Sequence, residues 1–465
     1  MVFSAVYPMA FDEDFHLGII KIYAHQWSPF LHGQPADADS FGALARDPSY
    51  LFHYLMSFPY RAIAAITSSE ATQIIVLRLM NVAFFAWSLV LFRRVLLRAT
   101  KSPVITNGSI GVFILIPIVP QLAAHINYDN LLMVLVAALC LLVYRLIDEC
   151  NARKLRVQSL GQFVTLGMVA SLVKYAFLPI FGAACIFVAG YVWKKVSWRK
   201  AATSLVADWR KLRPLQLGVV IGLVLLSSVL FVQRYGVNVV SYHTPIADCG
   251  QVLSYDECSN YGPWIRNYNY AAQKGEVDPN PAAYTYTWLH DLLFRLFFAV
   301  NGPASDYANY PPLPLPYITA SVLFIGGVPL VLFYARRLFK DPFAVFAALS
   351  IVLYCGALWI EDYGQFVETG QPVAINGRYL LPVLFLAAIL IGRAMQYFFA
   401  RFSFRYIGTV TAAVVLLLFL HGGGLLTFIL RSDASWDWQN STVVHVNDAA
   451  RRVLAPIIIE GSKYY

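Results

Sequence analysis

The sequence predicts an all-α protein, a polytopic bundle of transmembrane helices with about ten full spans, a clipped first span and extramembrane loops on one side. Three observations predict it. Hydrophobic residues make up 58% of the 465-residue chain and charged residues only 13%, whereas soluble domains use about half apolar and a quarter charged residues. Mean hydropathy is +0.59. The apolar residues also fall into blocks of roughly 17 to 25, the length a helix needs to cross about 30 Å of hydrocarbon. Alternating ten-residue strands, the mark of a membrane barrel, are absent.

Taken in order, the chain opens with MVFSAVYPMA, about half a span, too short and without the basic flank of a signal peptide. A first span clipped at its start is expected here; the alternative is a short helix that dips into the bilayer. The acidic stretch FDEDFHLGII follows, then an amphipathic stretch over 28–70. Spans are expected near 73–92, 104–124, 131–147, 157–173, 176–193, 215–233, 315–335, 342–360, 379–397 and 407–430. Nothing marks an independent soluble domain or a repeat. The chain is expected to form one unit over 1–430, with outer loops at 10–72 and 234–314, and a short extracytoplasmic tail at 431–465.

Basic residues of short loops stay on the cytoplasmic side, and here they occupy alternate connections. They are Arg93, Arg94, Arg98 and Lys101; Arg145, Arg153, Lys154 and Arg156; Lys194, Lys195, Arg199, Lys200, Arg210, Lys211 and Arg213; Arg336, Arg337 and Lys340; and Arg393, Arg401 and Arg405. Of the 26 acids only Asp148, Glu149, Asp208 and Asp341 share that side. The net charge of +9 is thus mostly an orientation signal, and nucleic acid is not an expected partner.

Asp12, Glu13, Asp14 and His16 are then expected to face outward. In a helix starting near Asp12, residues three and four apart share a face, so Asp12 and Glu13 would both present toward His16. One reading is a solvated helix start, where carboxylates suit the positive end of the dipole. The other is a desolvated cluster packed by LGIIKIYA, in which a carboxylate acts as general base or holds a divalent metal. Asp129, in HINYDNLLMVL, stands at the outer mouth of an apolar span, as a functional charge or as a helix N-cap. Lys174 in SLVKYAF and Arg378 in INGRYLLPVL break the positive-inside pattern; such cations hold phosphate or snorkel to the interface. Cys249 and Cys258 lie on the oxidising side, and a disulfide between them would stabilise by about 3 kcal/mol at most; the alternative is two unrelated thiols. Cys140, Cys150, Cys185 and Cys355 read as ordinary core residues.

In the order of these features the chain resembles the polytopic GT-C glycosyltransferases, which use polyprenyl-phosphate sugars. FDEDFHLG is similar to the acidic motif of their first outer loop, especially the DE-x-x-H pattern of protein O-mannosyltransferase-like members. An amphipathic helix (DPSYLFHYLMSFPYRAIAAI), a span opening with Arg and Asn (VLRLMNVAFF) and Asp129 follow in the family's order. NYDNLLMVLVAALCLLVYR with NGRYLLPVL is similar to a bacterial family of predicted membrane proteins of unknown function, and the likeness covers most of residues 10–400.

The resemblance implies an inverting sugar transfer from a polyprenyl-phosphate donor to a hydroxyl of a glycan, lipid or protein acceptor, outside the plasma membrane of a bacterium. It places the base at Asp12, with Glu13 orienting acceptor or base, His16 and Asp129 in support, and Arg378 and Lys174 on the donor phosphate. No cofactor is expected, or else Mg²⁺ or Mn²⁺ on Asp12 and Asp14. The tail is too short for the soluble domain of many members, so acceptor recognition is expected in 234–314, where NYGPWIRNYNYAA is rich in aromatic faces and amides. A transporter or flippase of lipid-linked saccharides is the alternative from another class. It would show charged residues at mid-membrane on broken helices in matching halves, a pattern not found. A polysaccharide polymerase or ligase would share donor and topology and differ in acceptor.

Overall fold

The computed structural model describes residues 1–9, 12–276, 279–297, 300–301, 309–310, 326–401, 406–421, 423–432 and 434–458. These residues are almost wholly helical, with one two-residue antiparallel ladder pairing Val300 with Tyr310 and Asn301 with Asn309. The first eight helices are α1 Glu13–Ala24, α2 Leu51–Ala64, α3 Glu70–Thr100, α4 Pro103–Ile114, α5 Ile118–Ala123, α6 Tyr128–Asn151, α7 Val157–Val173 and α8 Leu178–Lys195. Then come α9 Trp198–Trp209 and α10 Pro214–Phe231; later helices are named by their residues.

Among the described residues six helices are long and apolar enough to cross a membrane: Glu70–Thr100, Tyr128–Asn151, Tyr175–Lys195, Pro214–Tyr242, Pro342–Thr369 and Gly377–Phe399. The chain is an integral membrane protein. The expected segment 157–173 is a helix too, but with Pro103–Ile114 and Ile407–Leu420 it belongs to the shorter apolar helices. Two expected spans are interrupted. The segment 104–124 divides into α4 and α5 just ahead of Pro117, because proline lacks the amide that a continuing helix needs. The segment 407–430 divides between Ile407–Leu420 and Leu425–Arg431, where Gly424 takes a φ of 66°. Most of the expected span 315–335 lies outside the described residues, as do parts of the expected outer loop 234–314 and of the tail.

Local sequence sets the helix ends. Ser69 and Ser102 accept the N–H of Thr72 and Ile105 at the starts of α3 and α4, and Asn127, Asp341 and Asn376 cap three further helices in the same way. Each such cap satisfies one amide that the helix leaves unpaired and stabilises by about 1 kcal/mol. The helix Pro342–Thr369 ends on Gly370 at a φ of 72°, which a side chain would resist.

Helix α6 is the axis of the bundle. Its apolar window is 67% buried, against 6% for the Pro214–Tyr242 segment at the periphery. α3, α7, α8 and the helices Pro342–Thr369 and Gly377–Phe399 pack around it. Rings fill the joints: Phe92 stacks on Phe385 at 3.6 Å and Tyr144 on Phe343 at 3.8 Å. The chain runs down α3, returns through α4 and α5 and runs down again along α6, so these two helices are parallel and Arg98 meets Asp148 at one end of the bundle, with Arg145 and Glu149 (3.3 Å) beside them. The opposite end carries α1, α2 and the mouths of α3, α6, α7 and Gly377–Phe399.

That end is closed by irregular chain. Residues 1–9 form turns that pair with 434–438, through an Ala5–Asp437 bridge and a bond from the Val6 N–H to the Trp436 carbonyl at 2.8 Å. A disulfide joins Cys249 and Cys258. The folded segment around it sets Tyr261 against Gly42 and within 6.3 Å of the Phe15 ring. Of the expected amphipathic stretch 28–70 only 51–64 and the first residue of α3 are α-helical; Arg61 of α2 donates to the Ala24 and Tyr23 carbonyls at the end of α1 at 2.7 Å, and Arg234 donates to the carbonyl of Ala45.

Candidate functional site

Helix α1 begins at Glu13, one residue later than the spacing predicts, and this redirects both acids. Asp12 occupies the N-cap at φ 63° and makes no side-chain cap bond. The left-handed region is uncommon for residues other than glycine, though Asp is among the few that tolerate it. With the cap position unused, the carboxylate turns outward to Arg378, whose Nη2 donates to Oδ2 at 2.5 Å. The Asp12 side chain stays 48% exposed while Arg378 is 6% exposed, so the carboxylate is the open half of the pair. Burial opposes ionisation of Asp12, but Arg378, His125 and Lys174 outweigh it and hold the carboxyl below its usual range.

Glu13 turns the other way and is sealed. It is fully buried against Arg78 of α3, which reaches it with Nε at 2.8 Å and Nη2 at 2.7 Å. The backbone N–H groups of Met9 and Ile126 donate to it at 2.8 and 3.0 Å. Burial alone would raise its pKa; the Arg78 contacts and the Ile126 amide bring it below the ordinary value instead. These four donors occupy the carboxylate, so Glu13 cannot orient an acceptor directly. It ties α1, α3 and the 125–130 turn together. Neither acid faces His16, as a helix starting at Asp12 would have required.

Asp129 and Lys174 form the next pair. Lys174 Nζ donates to Asp129 Oδ1 at 2.6 Å, with side-chain exposures of 4% and 1%. Tyr128 and Tyr379 flank the ammonium, their ring centres 4.5 and 5.2 Å from Nζ, in a cation–π arrangement that favours the charge. The second Asp129 oxygen is buried without a hydrogen-bond partner among the described residues. An orphaned acceptor costs about 1–3 kcal/mol. Asp129 is not the side-chain cap of α6; Asn127 is.

The histidines are ordered by that cap. Asn127 Oδ1 accepts the Asp129 N–H at 2.8 Å, so its Nδ2 is the donor to His16 Nε2 at 3.1 Å. His16 therefore carries its proton on Nδ1 and gives it to His53 Nε2 at 2.8 Å. Both rings are neutral, since burial drives His16 well below its ordinary pKa and His53 down to about 3. His16 is thus not a free base. His125 is a third buried ring, its Nδ1–H bonded to the Gln121 carbonyl at 2.8 Å and its pKa pushed down to about 4 by burial.

The structure thus brings Asp12, Asp129, Lys174 and Arg378 to one end of the bundle. Asp14 is exposed, and Asp12 is engaged by Arg378. Among the described residues no group of three or more His, Cys, Asp or Glu is placed to hold a metal ion. Of the site's other residues, the sequence marks Arg78 and Asn81 only as the Arg and Asn that open a span and Asn127 only as a neighbour of Asp129, and it marks neither His53 nor His125. Asn81 is the pivot of the turn, accepting from the Asn127 N–H at 3.3 Å and Asn130 Nδ2 at 3.2 Å. The signal carried by Arg78 and Asn81 is polarity, an Arg and an Asn three residues apart in an otherwise apolar run.

A half-exposed carboxylate held by a recessed arginine can accept a proton on its open side while the arginine binds an anion on the other. Compared with models of known families, with curated proteins and with solved structures, the chain finds no match.

Proposed function

We propose that the protein is a membrane glycosyltransferase of GT-C type with about ten spans. It would move a sugar from a polyprenyl-phosphate donor to an acceptor hydroxyl on the extracytoplasmic side of a bacterial plasma membrane, with inversion. The observation that carries the reading is the Asp12–Arg378 pair: a carboxylate open to solvent and a buried guanidinium at the mouth of a span, with Lys174 and the free oxygen of Asp129 recessed behind them. The concentration of arginine and lysine at the opposite end supports an outward-facing site.

In this reading the donor phosphate takes over Arg378 and draws on the charge of Lys174. Asp12 then loses the cation that keeps its pKa low, and its affinity for a proton rises. The acceptor oxygen attacks the anomeric carbon, its proton passes to Asp12, and the carbon–oxygen bond to phosphate breaks with the electron pair leaving on the lipid phosphate. Charge builds on that phosphate in the transition state, where preorganised cations act most strongly. Glu13 and Arg78 position Asp12, and the Asn127–His16–His53 chain fixes the turn that bears Asp129.

The test is release of lipid phosphate from a labelled polyprenyl-phosphate hexose by the purified protein and by Asp12→Asn. Asn keeps an acceptor oxygen for Arg378, so the fold is retained, while loss of the base lowers turnover by about 10²–10⁴. Equal release from both proteins removes Asp12 from the role. Movement of the intact lipid across reconstituted vesicles without cleavage assigns the protein to transport instead.

A further inference from the structure

Helix α9 lies between α8 and α10, at the end of the bundle opposite Asp12. The cations on its flanks, Lys194 and Lys195 before it and Arg210, Lys211 and Arg213 after it, are all exposed. Among the described residues none of these five pairs with a carboxylate. The acid within α9, Asp208, is turned to the Val157 N–H at 2.9 Å. Trp193, Trp198 and Trp209 are 69%, 56% and 45% exposed, an aromatic belt of the kind found at headgroup level.

Beside these groups is a cleft of about 750 Å³, walled by Leu160 of α7, Leu205 and Trp209 of α9, Val220 and Val224 of α10, and Arg210. α7 and α10 touch at Gly161, where a Cβ would stand 2.5 Å from Val220 Cγ1. The cleft borders the span that is least buried in protein, so hydrocarbon reaches it without crossing water. An apolar wall beside unpaired cations is complementary to an anionic amphiphile. It is not complementary to a second copy of the same surface, which would set cation against cation.

We infer that this cleft binds an anionic phospholipid, with one acyl chain lying between α7, α9 and α10 and the headgroup phosphate held by Arg210 and Lys211. An amphipathic helix in the interface plane gains from both burial and charge, and each basic residue near an anionic surface contributes about 1 kcal/mol.

The test is native mass spectrometry of the full chain with phosphatidylglycerol and phosphatidylcholine of matched chains. Phosphatidylglycerol should be retained more than tenfold better, that is by over about 1.4 kcal/mol. Arg210→Gln with Lys211→Gln should weaken it about 25-fold, from two such charges. Shortening both acyl chains to about six carbons, which needs no variant, should abolish retention with the headgroup unchanged, because each buried methylene contributes about 0.8 kcal/mol. Equal retention of the two lipids overturns the site. So does a phosphatidylglycerol preference that survives in the short-chain lipid, which would mean adsorption to the cationic surface alone.

Discussion

Asp12 and Glu13 each meet one arginine, and the depth of the contact separates what they do. Replacing Arg78 by Met leaves Glu13 as an uncompensated charge in a site with no exposure, a loss of about 3–5 kcal/mol. Arg78→Met is therefore expected to yield little folded protein, with Glu13→Gln added in cis recovering part of it by size-exclusion profile. Arg378→Gln frees a carboxylate that is already half in water, so its thermal midpoint stays near wild type while donor cleavage is lost. The buried histidines make a second prediction at this scale. His53 and His125 titrate near 3 and 4 in the fold and His16 well below 6.5, so the unfolded chain takes up protons first as pH falls. Their stabilising contribution is complete above about pH 6.5 and declines below it, by about 1.4 kcal/mol per pH unit for each ring. Glu13, whose folded pKa is depressed, contributes its stability in full above its ordinary value of 4.5 and loses it only as pH falls below that, so it adds no slope to the interval in which the histidines act. Unfolding midpoints in detergent from pH 7.5 to 5 should fall, and His53→Gln should shrink the slope by about a third. A slope unchanged by that variant would mean that the His53 ring gains protons in the fold as readily as in the open chain.

At the scale of elements, two glycines beside the site are constrained by space and differ in what they would strike. A Cβ on Gly18 of α1 would lie 2.2 Å from the Phe41 ring, a side chain able to swing aside. On Gly377 it would lie 2.2 Å from the backbone nitrogen of Leu296, which cannot. Gly377→Ala is therefore expected to cost the larger share of the 1–3 kcal/mol range of about that size seen for overpacking. It should also move the turn that carries Arg378, raising KM for the donor more than Gly18→Ala does. The elements themselves were readable where one signal dominated. The expected segment 157–173 coincides with α7, which the structure bounds with an extended Arg156 and an extended Lys174, and Ser, Asn and Asp mark the helix starts. The breaks in two apolar blocks were readable from Pro117 with Pro120 and from the glycine run 422–424, although a hydropathy average passes over such backbone defects. Hydropathy could not place Asp12 one residue before its helix, because that offset depends on Arg378 pulling the carboxylate outward from 366 residues away in sequence. His53 stood in an amphipathic stretch, where a histidine reads the same whether it faces water or another ring, and His125 stood in the short connection between two expected spans, which carries no periodicity.

For the molecule as a whole, the arrangement depends on polarity across the membrane. α3 and α6 carry Arg78 and Asp129 at one end and Arg98 and Asp148 at the other, so fixing the side of any one charge fixes them all. Asp14 and Lys200 are exposed at the two opposite ends and suit a labelling test with a membrane-impermeant maleimide. In a Cys185→Ala background, which removes the exposed native thiol, Asp14→Cys should label in intact cells. Lys200→Cys should label only after the membrane is opened. The physical reason is the cost of carrying the cations around α9 across hydrocarbon, about 2.5–3.5 kcal/mol for each at the bilayer centre. Acids at the other end resist inversion far less, since the orientation rule counts Lys and Arg and is nearly indifferent to Asp and Glu. Reversed labelling would put Asp12 among cytoplasmic solutes and deprive it of an outer-leaflet donor. Labelling of both sites from one side would mean that the membrane does not separate the two ends of the parallel pair α3 and α6, and the Arg98–Asp148 contact at the far end would then lose its meaning as a marker of depth.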